Sequence, residues 1–378
     1  MFYIVLASGM KHQSMYLDWY VRVPHLKFDF RSSGLGNFKY NANLGEVDLS
    51  ANYSHGNPET TKVLAQRYGI MPENVFISSE GASGQNARII RCLSEQNPKR
   101  NEVIVEYPTY EPLLRLAQEY FPYVKRFERD ETENYRLDAD RLRRIVSDKT
   151  GLVVLTNPHA PSGAVSDIKE LKKVMSIANQ HGFYVLCDEI YAEFDRNRVP
   201  TLLSVDSELG IVTTSFSKAY GLGGLKLGVA LASKTLVDEF YSDALDTVGN
   251  GSNVVEMLAT KLLAEDADAL EMHKQKWINL KAIAQKLLDE KGFEYSPNSV
   301  GITFWLKLPV KDTYKWVNQN TIPRHSFAPV PGAFFFFKDG EYVETNTVRL
   351  GLGNINPDKP SLAEAFEALE KALNRQNP

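Results

Sequence analysis

The stretch GLVVLTNPHAPSGAVSDIKELKKVMSIANQHGFYVLCDEIY, residues 151–191, decides the fold. It opens on Gly151-Leu-Val-Val-Leu155 and closes on Phe183-Tyr-Val-Leu-Cys187 before a polar tail. Both runs are apolar at consecutive positions, which marks strands covered on both faces. Between them, Asp167–His181 sets Ile168, Leu171, Val174, Met175 and Ala178 on one stripe at helical spacing. Strand, helix, buried strand is the repeating unit of an α/β domain with a mostly parallel sheet.

The same alternation extends in both directions, from about residue 75 to 232. Asn74-Val-Phe-Ile-Ser78, Glu102-Val-Ile-Val-Glu106 and Gly210-Ile-Val-Thr-Thr214 are the further predicted strands. After about residue 235 the pattern changes to a long predicted helix over 253–290. Strand-like Gly301–Lys307, Phe334–Phe337 and Thr347–Gly351 follow, then a terminal helix near 360–375. This mixture predicts a smaller α+β domain. We therefore expect a large α/β domain over 46–250, with residues 1–45 and 251–378 forming the smaller one. The first 45 residues are aromatic-rich without strand–helix alternation, and are expected to pack on the smaller domain or on a partner subunit.

Composition bounds the function. The 378 residues are 43% hydrophobic and 24% charged, ordinary for a globular chain of two or three domains and enough for a sizeable core. A net charge of −4 argues against a dedicated nucleic-acid binder, which needs a basic face. No apolar run approaches the ~20 residues of a membrane helix. Met1–Ala7 is apolar but lacks the basic flank and the length of a signal peptide. Cys92 and Cys187 form neither a disulfide framework nor a metal pair, and the seven His residues lack metal-ligand spacing. No metal is expected, and a cytoplasmic enzyme is the default.

Ligands bind beyond the carboxyl ends of strands in open α/β sheets. Four such ends carry polar clusters: Gly81-Ala-Ser-Gly-Gln85, Asn157-Pro-His-Ala-Pro-Ser-Gly163, Asp188-Glu-Ile-Tyr191 and Ser215-Phe-Ser-Lys218. With them stand Tyr53-Ser-His-Gly-Asn-Pro-Glu59, Pro108-Thr-Tyr110, the run from Ser215 to Gly228, Pro331-Gly332 and Val348-Arg-Leu350. In this order the set resembles the fold-type I pyridoxal-phosphate (PLP) enzymes, specifically the aspartate-aminotransferase superfamily of class I/II aminotransferases. The resemblance spans nearly the whole chain.

What it implies is an aminotransferase that moves the amino group of an L-amino acid to a 2-oxo acid. Lys218 is the implied Schiff-base lysine and proton carrier, because such a step needs an amine that is neutral part of the time. Asp188 is implied to hold the proton on the pyridine nitrogen. Tyr191 falls at the ring hydroxyl, and Tyr110 over the ring. Gly81, Ala82 and Ser83 precede a helical run and offer a helix N-terminus to the phosphate, joined by Ser215 and Lys226. Tyr53 matches a tyrosine that reaches the phosphate across a subunit boundary, implying a homodimer with shared sites. Arg349 matches the guanidinium that takes the substrate α-carboxylate with two parallel hydrogen bonds.

Competing motif readings fail on single positions. A hydrolase elbow at Ser83 needs glycine at 85, which is Gln, and a dinucleotide fingerprint from Gly221 needs glycine at 226, which is Lys. His159 is expected to pack within its loop, and His55 to lie near the cofactor mouth if it takes any part. Two positions depart from the family: Ala160 stands where an asparagine donates to the cofactor's ring oxygen, and Lys226 where an arginine is usual. These departures keep open a PLP-dependent lyase or decarboxylase, and more remotely a PLP-binding sensor domain without turnover. Arg22 and Arg31 are read as surface residues rather than contacts to a substrate side chain.

Overall fold

The computed structural model describes residues 14–338, 341–359 and 361–374. The apolar opening Met1–Ala7 lies outside them. Helix α1 (Met15–Arg22) comes first, and its N-cap Ser14 accepts from the Leu17 amide. Strand β1 (Phe28–Asp29) follows, then α2 (Pro58–Tyr68). Next come β2 (Val75–Ser78), α3 (Gly81–Gln96), β3 (Glu102–Tyr107), α4 (Glu111–Tyr120), β4 (Tyr123–Glu128), α5 (Ala139–Arg143) and β5 (Thr150–Thr156). The large sheet is completed through α6 (Ile168–His181), β6 (Tyr184–Asp188), β7 (Gly210–Thr214) and β8 (Gly228–Leu231), and α7 (Lys234–Thr247) follows it.

Its order is β2-β8-β7-β6-β5-β3-β4. All pairings are parallel except those of β8, which runs against both β2 and β7. The carboxyl ends of β2, β3, β5, β6 and β7 therefore share one edge of the sheet. Strands β5 and β7 are buried at every position; in β5 the apolar run Leu152–Leu155 requires it, and in β7 Ile211 and Val212 are joined by two buried threonines. Asp167 caps α6 by accepting from the Lys169 and Glu170 amides, and Gly182 ends it in the left-handed conformation. Within this sheet the sequence pattern misses two strands: β4, an edge strand whose faces are mostly half exposed, and β8, whose four residues sit inside the glycine-rich motif.

The rest of the chain departs from expectation in two places. The predicted single helix over 253–290 is α8 (Asn253–Thr260), a π-turn over Lys261–Glu265, and α9 (Ala267–Glu290), with Asp266 out of helical geometry between them. Phe334–Phe337 is no strand. A 3₁₀ turn over Gly332–Phe334 turns these aromatics inward, where Phe334, Phe335 and Phe337 are buried. A four-stranded antiparallel sheet joins β9 (Glu294–Tyr295), β10 (Thr303–Lys307), β12 (Val330–Pro331) and β13 (Thr347–Gly351), with β11 (Phe327–Ala328) lying apart from it. A terminal helix spans Leu362–Asn374.

The amino-terminal segment is built into both parts. Strand β1 pairs in parallel with β11, and the Leu35 amide donates to the Lys218 carbonyl at 2.9 Å. One apolar core runs from Tyr16 through the central strands to Ala372. Among the described residues, no helix is long and apolar enough to cross a membrane.

Candidate active site

A cavity of about 250 Å³ opens at the shared carboxyl edge of the sheet. Its lining joins Ala82 and Ser83 from α3, Tyr110, Ala160, Asp188, Tyr191 and Lys218 from the strand ends, and Arg349 from β13. Residues up to 333 positions apart in the chain meet here: parallel strands deliver their following loops to one edge, and the amino-terminal segment and β13 add to it.

Asp188 ends β6 and is 7% exposed. Asn86 Nδ2 donates to its Oδ2 at 2.8 Å, and the Ile190 amide donates to its Oδ1 at 3.0 Å. Burial pushes the Asp188 carboxyl above its ordinary value, while Asn86, the Ile190 amide and the Lys218 charge pull it back. Asn86 is itself fixed by Thr213 Oγ1, which donates to Asn86 Oδ1 at 2.6 Å. Such a carboxylate is built to accept a cation. Neither Asn86 nor Thr213 was legible as a site residue; Asn86 sits one turn into α3, and only the fold turns it toward β6.

Helix α3 presents its N-terminus to the cavity. Its N-cap Glu80 makes no side-chain cap bond, and its carboxylate goes instead to Arg88 at 2.6 Å. The amides of the first turn are left for an anion. Gly81 has φ +68°, a conformation that favours glycine, and its own amide donates to the Lys226 carbonyl at 2.6 Å. Gly228 must also be glycine: a Cβ there would lie 2.3 Å from the Gly81 carbonyl oxygen. Lys226 thus meets α3 through its backbone, while its side chain is exposed and outside the lining. Ser215 is buried and outside the lining, its hydroxyl 2.7 Å from that of Ser217.

Arg349 is 3% exposed and has no carboxylate partner among the described residues. Its Nη2 donates to the Tyr16 hydroxyl at 2.9 Å and to the Arg31 carbonyl at 3.1 Å, and its Nε is buried without a partner. An arginine paid for in this way, charged and part-satisfied, awaits an anion. The other lining arginine is different. Arg31 is buried rather than on the surface, and two donors go to Asp29 at 2.7 and 2.9 Å. Arg22 does lie partly exposed, paired with Asp18.

Tyr191 donates to the Ser33 hydroxyl at 2.7 Å, and Tyr110 packs edge-on to Tyr16 at 5.8 Å. The N-terminal segment supplies Tyr16, Leu17, Tyr20, Ser32 and Ser33 to the lining, which its aromatic composition alone did not reveal. Ala160 lines the cavity and brings no side-chain donor; its amide donates to Thr156 Oγ1 at 2.9 Å. His159 packs within its loop as expected, bonded to Ser162 and the Pro108 carbonyl. His55 is not at the cavity; it pairs with Asp238 at 3.1 Å. Tyr53 lies in a separate cleft with Asn57, Asn253 and Lys261. No group of three or more metal-ligating side chains exists among the described residues.

These residues suit PLP: a lysine beside a buried carboxylate, an open helix N-terminus for the phosphate, and an arginine short of one anion. The profile of the family described as aminotransferase class I and II matches residues 42–352. A histidinol-phosphate aminotransferase of Methanococcus aeolicus is 27% identical over 48% of this chain and 48% of its own length. An aromatic-amino-acid aminotransferase of Thermococcus litoralis is 26% identical over 77% of this chain and 73% of its own. Among solved structures, a PLP-dependent aminotransferase of Streptococcus suis superposes with a TM-score of 0.82 at 23% identity, covering 98% of this chain and all of that one.

Proposed function

The chain belongs to the class I and II aminotransferases, whose cofactor is PLP, and on that premise we propose that it transfers the amino group of an L-amino acid to a 2-oxo acid. The convergence of Lys218, Asp188 and Arg349 on one cavity carries the reading. When bound, PLP supplies an aldehyde that condenses with amines and a cationic ring that accepts the electron pair released at the substrate Cα.

The chain's residues supply the rest. Lys218 holds the cofactor and then, as a free amine, takes the proton from the substrate Cα and returns it at cofactor C4′. Asp188 keeps a proton on the ring nitrogen, and its buried position makes that ion pair strong. Arg349 receives the α-carboxylate. Tyr191 serves the ring oxygen without help from residue 160, Tyr110 packs on the ring, and Ala82 and Ser83 hold the phosphate; Gly81 turns the chain into α3 against the Lys226 carbonyl, while Ser215 and the Lys226 side chain stand outside the lining. Tyr53 lines a separate polar cleft and not its own cavity, which supports its service to the site of a second copy in a homodimer. The two-part division at residues 46–250, and a cytoplasmic location, belong to the same reading.

The cavity lining supports a neutral, largely apolar substrate. Tyr16, Leu17, Tyr20, Leu113 and Ile190 line it, and Arg31, its other cation beside Lys218 and Arg349, is already paired with Asp29. The test is product stoichiometry with PLP-loaded protein, a panel of L-amino acids and 2-oxoglutarate. One oxo acid formed per 2-oxo acid consumed is expected. Ammonia released without consumption of the 2-oxo acid would replace transamination with an elimination.

A further inference from the structure

Helix α1 has only eight residues, too few to persist by its own hydrogen bonds. Its two ends are gripped by charged side chains from elsewhere in the chain. At the N-terminus, Glu111, wholly buried at the start of α4, accepts from Ser14 Oγ at 2.6 Å, the Met15 amide at 3.1 Å and the Tyr16 amide at 2.8 Å. Arg115 Nε adds a fourth donor at 3.0 Å. At the C-terminus, Arg31 Nη1 donates to the carbonyls of Tyr20 at 2.7 Å and Val23 at 3.1 Å. A negative group at the N-terminus and a positive one at the C-terminus both match the helix dipole.

The helix so held touches substrate-binding machinery. Tyr16 accepts from Arg349 Nη2 at 2.9 Å, its ring lies against Tyr110, and Tyr16, Leu17 and Tyr20 line the cavity. Glu111 directly follows Tyr110, so the carboxylate and the cofactor-facing ring are placed by the same turn of backbone.

We propose that Glu111 is a positioning residue for substrate: it docks α1 so that the Tyr16 hydroxyl fixes the guanidinium of Arg349 for the α-carboxylate. The inference rests on Arg349 as the carboxylate anchor and adds the device that aims it. Glu111 reaches the substrate only through α1, so its loss weakens carboxylate binding and leaves both the chemical step and the hold on PLP in place.

The experiment compares Glu111→Ala, Glu111→Gln and the milder Ser14→Ala with the unaltered protein, all loaded with PLP. In Glu111→Ala, KM for the amino donor and the dissociation constant of the unreactive acid 3-phenylpropionate are expected to rise together about tenfold, with kcat within about twofold. Hydrogen exchange of the amides of residues 15–22 quickens in step. Glu111→Gln, which keeps an acceptor but no charge, falls between, and Ser14→Ala moves the same way by about threefold. Unchanged KM and 3-phenylpropionate binding, or a loss confined to kcat or to PLP retention, overturns the proposal. Should Glu111→Ala not fold, Ser14→Ala decides alone. A failure of Arg349→Gln to weaken 3-phenylpropionate binding would instead overturn the carboxylate anchor itself.

Discussion

Replacing Asn86 with leucine will loosen the cofactor about tenfold in a chain that still folds. Asn86 donates to Asp188 at 2.8 Å, and the carboxyl it serves is buried. A hydrogen bond to a charged partner contributes about 1.5–3 kcal/mol, and one between neutral groups about 0.5–1.5. Without cofactor, Asp188 can relieve its burial by taking up a proton, whereas a cationic ring nitrogen demands the charged form. The difference, about 1–1.5 kcal/mol, is therefore lost from cofactor binding, roughly a tenfold rise in dissociation constant. Equilibrium dialysis of PLP against the two proteins reads it directly. The same carboxyl sets a pH dependence. Its folded value is raised by burial, so below the unfolded value of about 3.9 it is protonated in both states and contributes nothing. As pH climbs through the window up to the folded value, the unfolded chain releases a proton that the folded one retains, and stability falls. Cofactor-free protein should thus lose melting temperature relative to Asp188→Asn as pH rises from about 4 toward neutrality. Equal PLP affinity in Asn86→Leu, or a difference from Asp188→Asn that is flat with pH, refutes the reasoning.

Arg349→Lys keeps a charge but not the planar fork, and should raise KM for the amino donor by about 30-fold, some 2 kcal/mol, in steady-state assays. Ala160→Asn adds a donor toward the ring oxygen, drawing on the negative charge that steadies the neighbouring cationic nitrogen; the pH midpoint of the bound cofactor's visible band should move down, and an unmoved midpoint removes any role for position 160. Gly228→Ala drives a Cβ to within 2.3 Å of the Gly81 carbonyl oxygen, and should cost about 1–3 kcal/mol by urea denaturation as the first turn of α3 is displaced.

The fold class lay open in the sequence because its signals are local. Consecutive apolar residues in β5 and β7 can satisfy their faces only inside a covered parallel sheet, and the stripe on α6 needs no distant partner to be seen. The polar clusters after β2, β5, β6 and β7 were legible for the same reason: each directly follows its strand, and parallel strands send those loops to one edge. The edge strand β4, with its half-exposed faces, carried no such pattern, and neither did the break at Asp266 within the long helical run. Tertiary structure alone decided which groups support those that do the chemistry. Asn86 meets Asp188 across 102 residues, Glu111 caps α1 across 95 to 97, and Tyr16 meets Arg349 across 333. Periodicity records which face of an element is buried; it holds no record of what stands opposite, because a hydrogen bond between distant segments exists only after the entropy of closing the chain between them has been overcome.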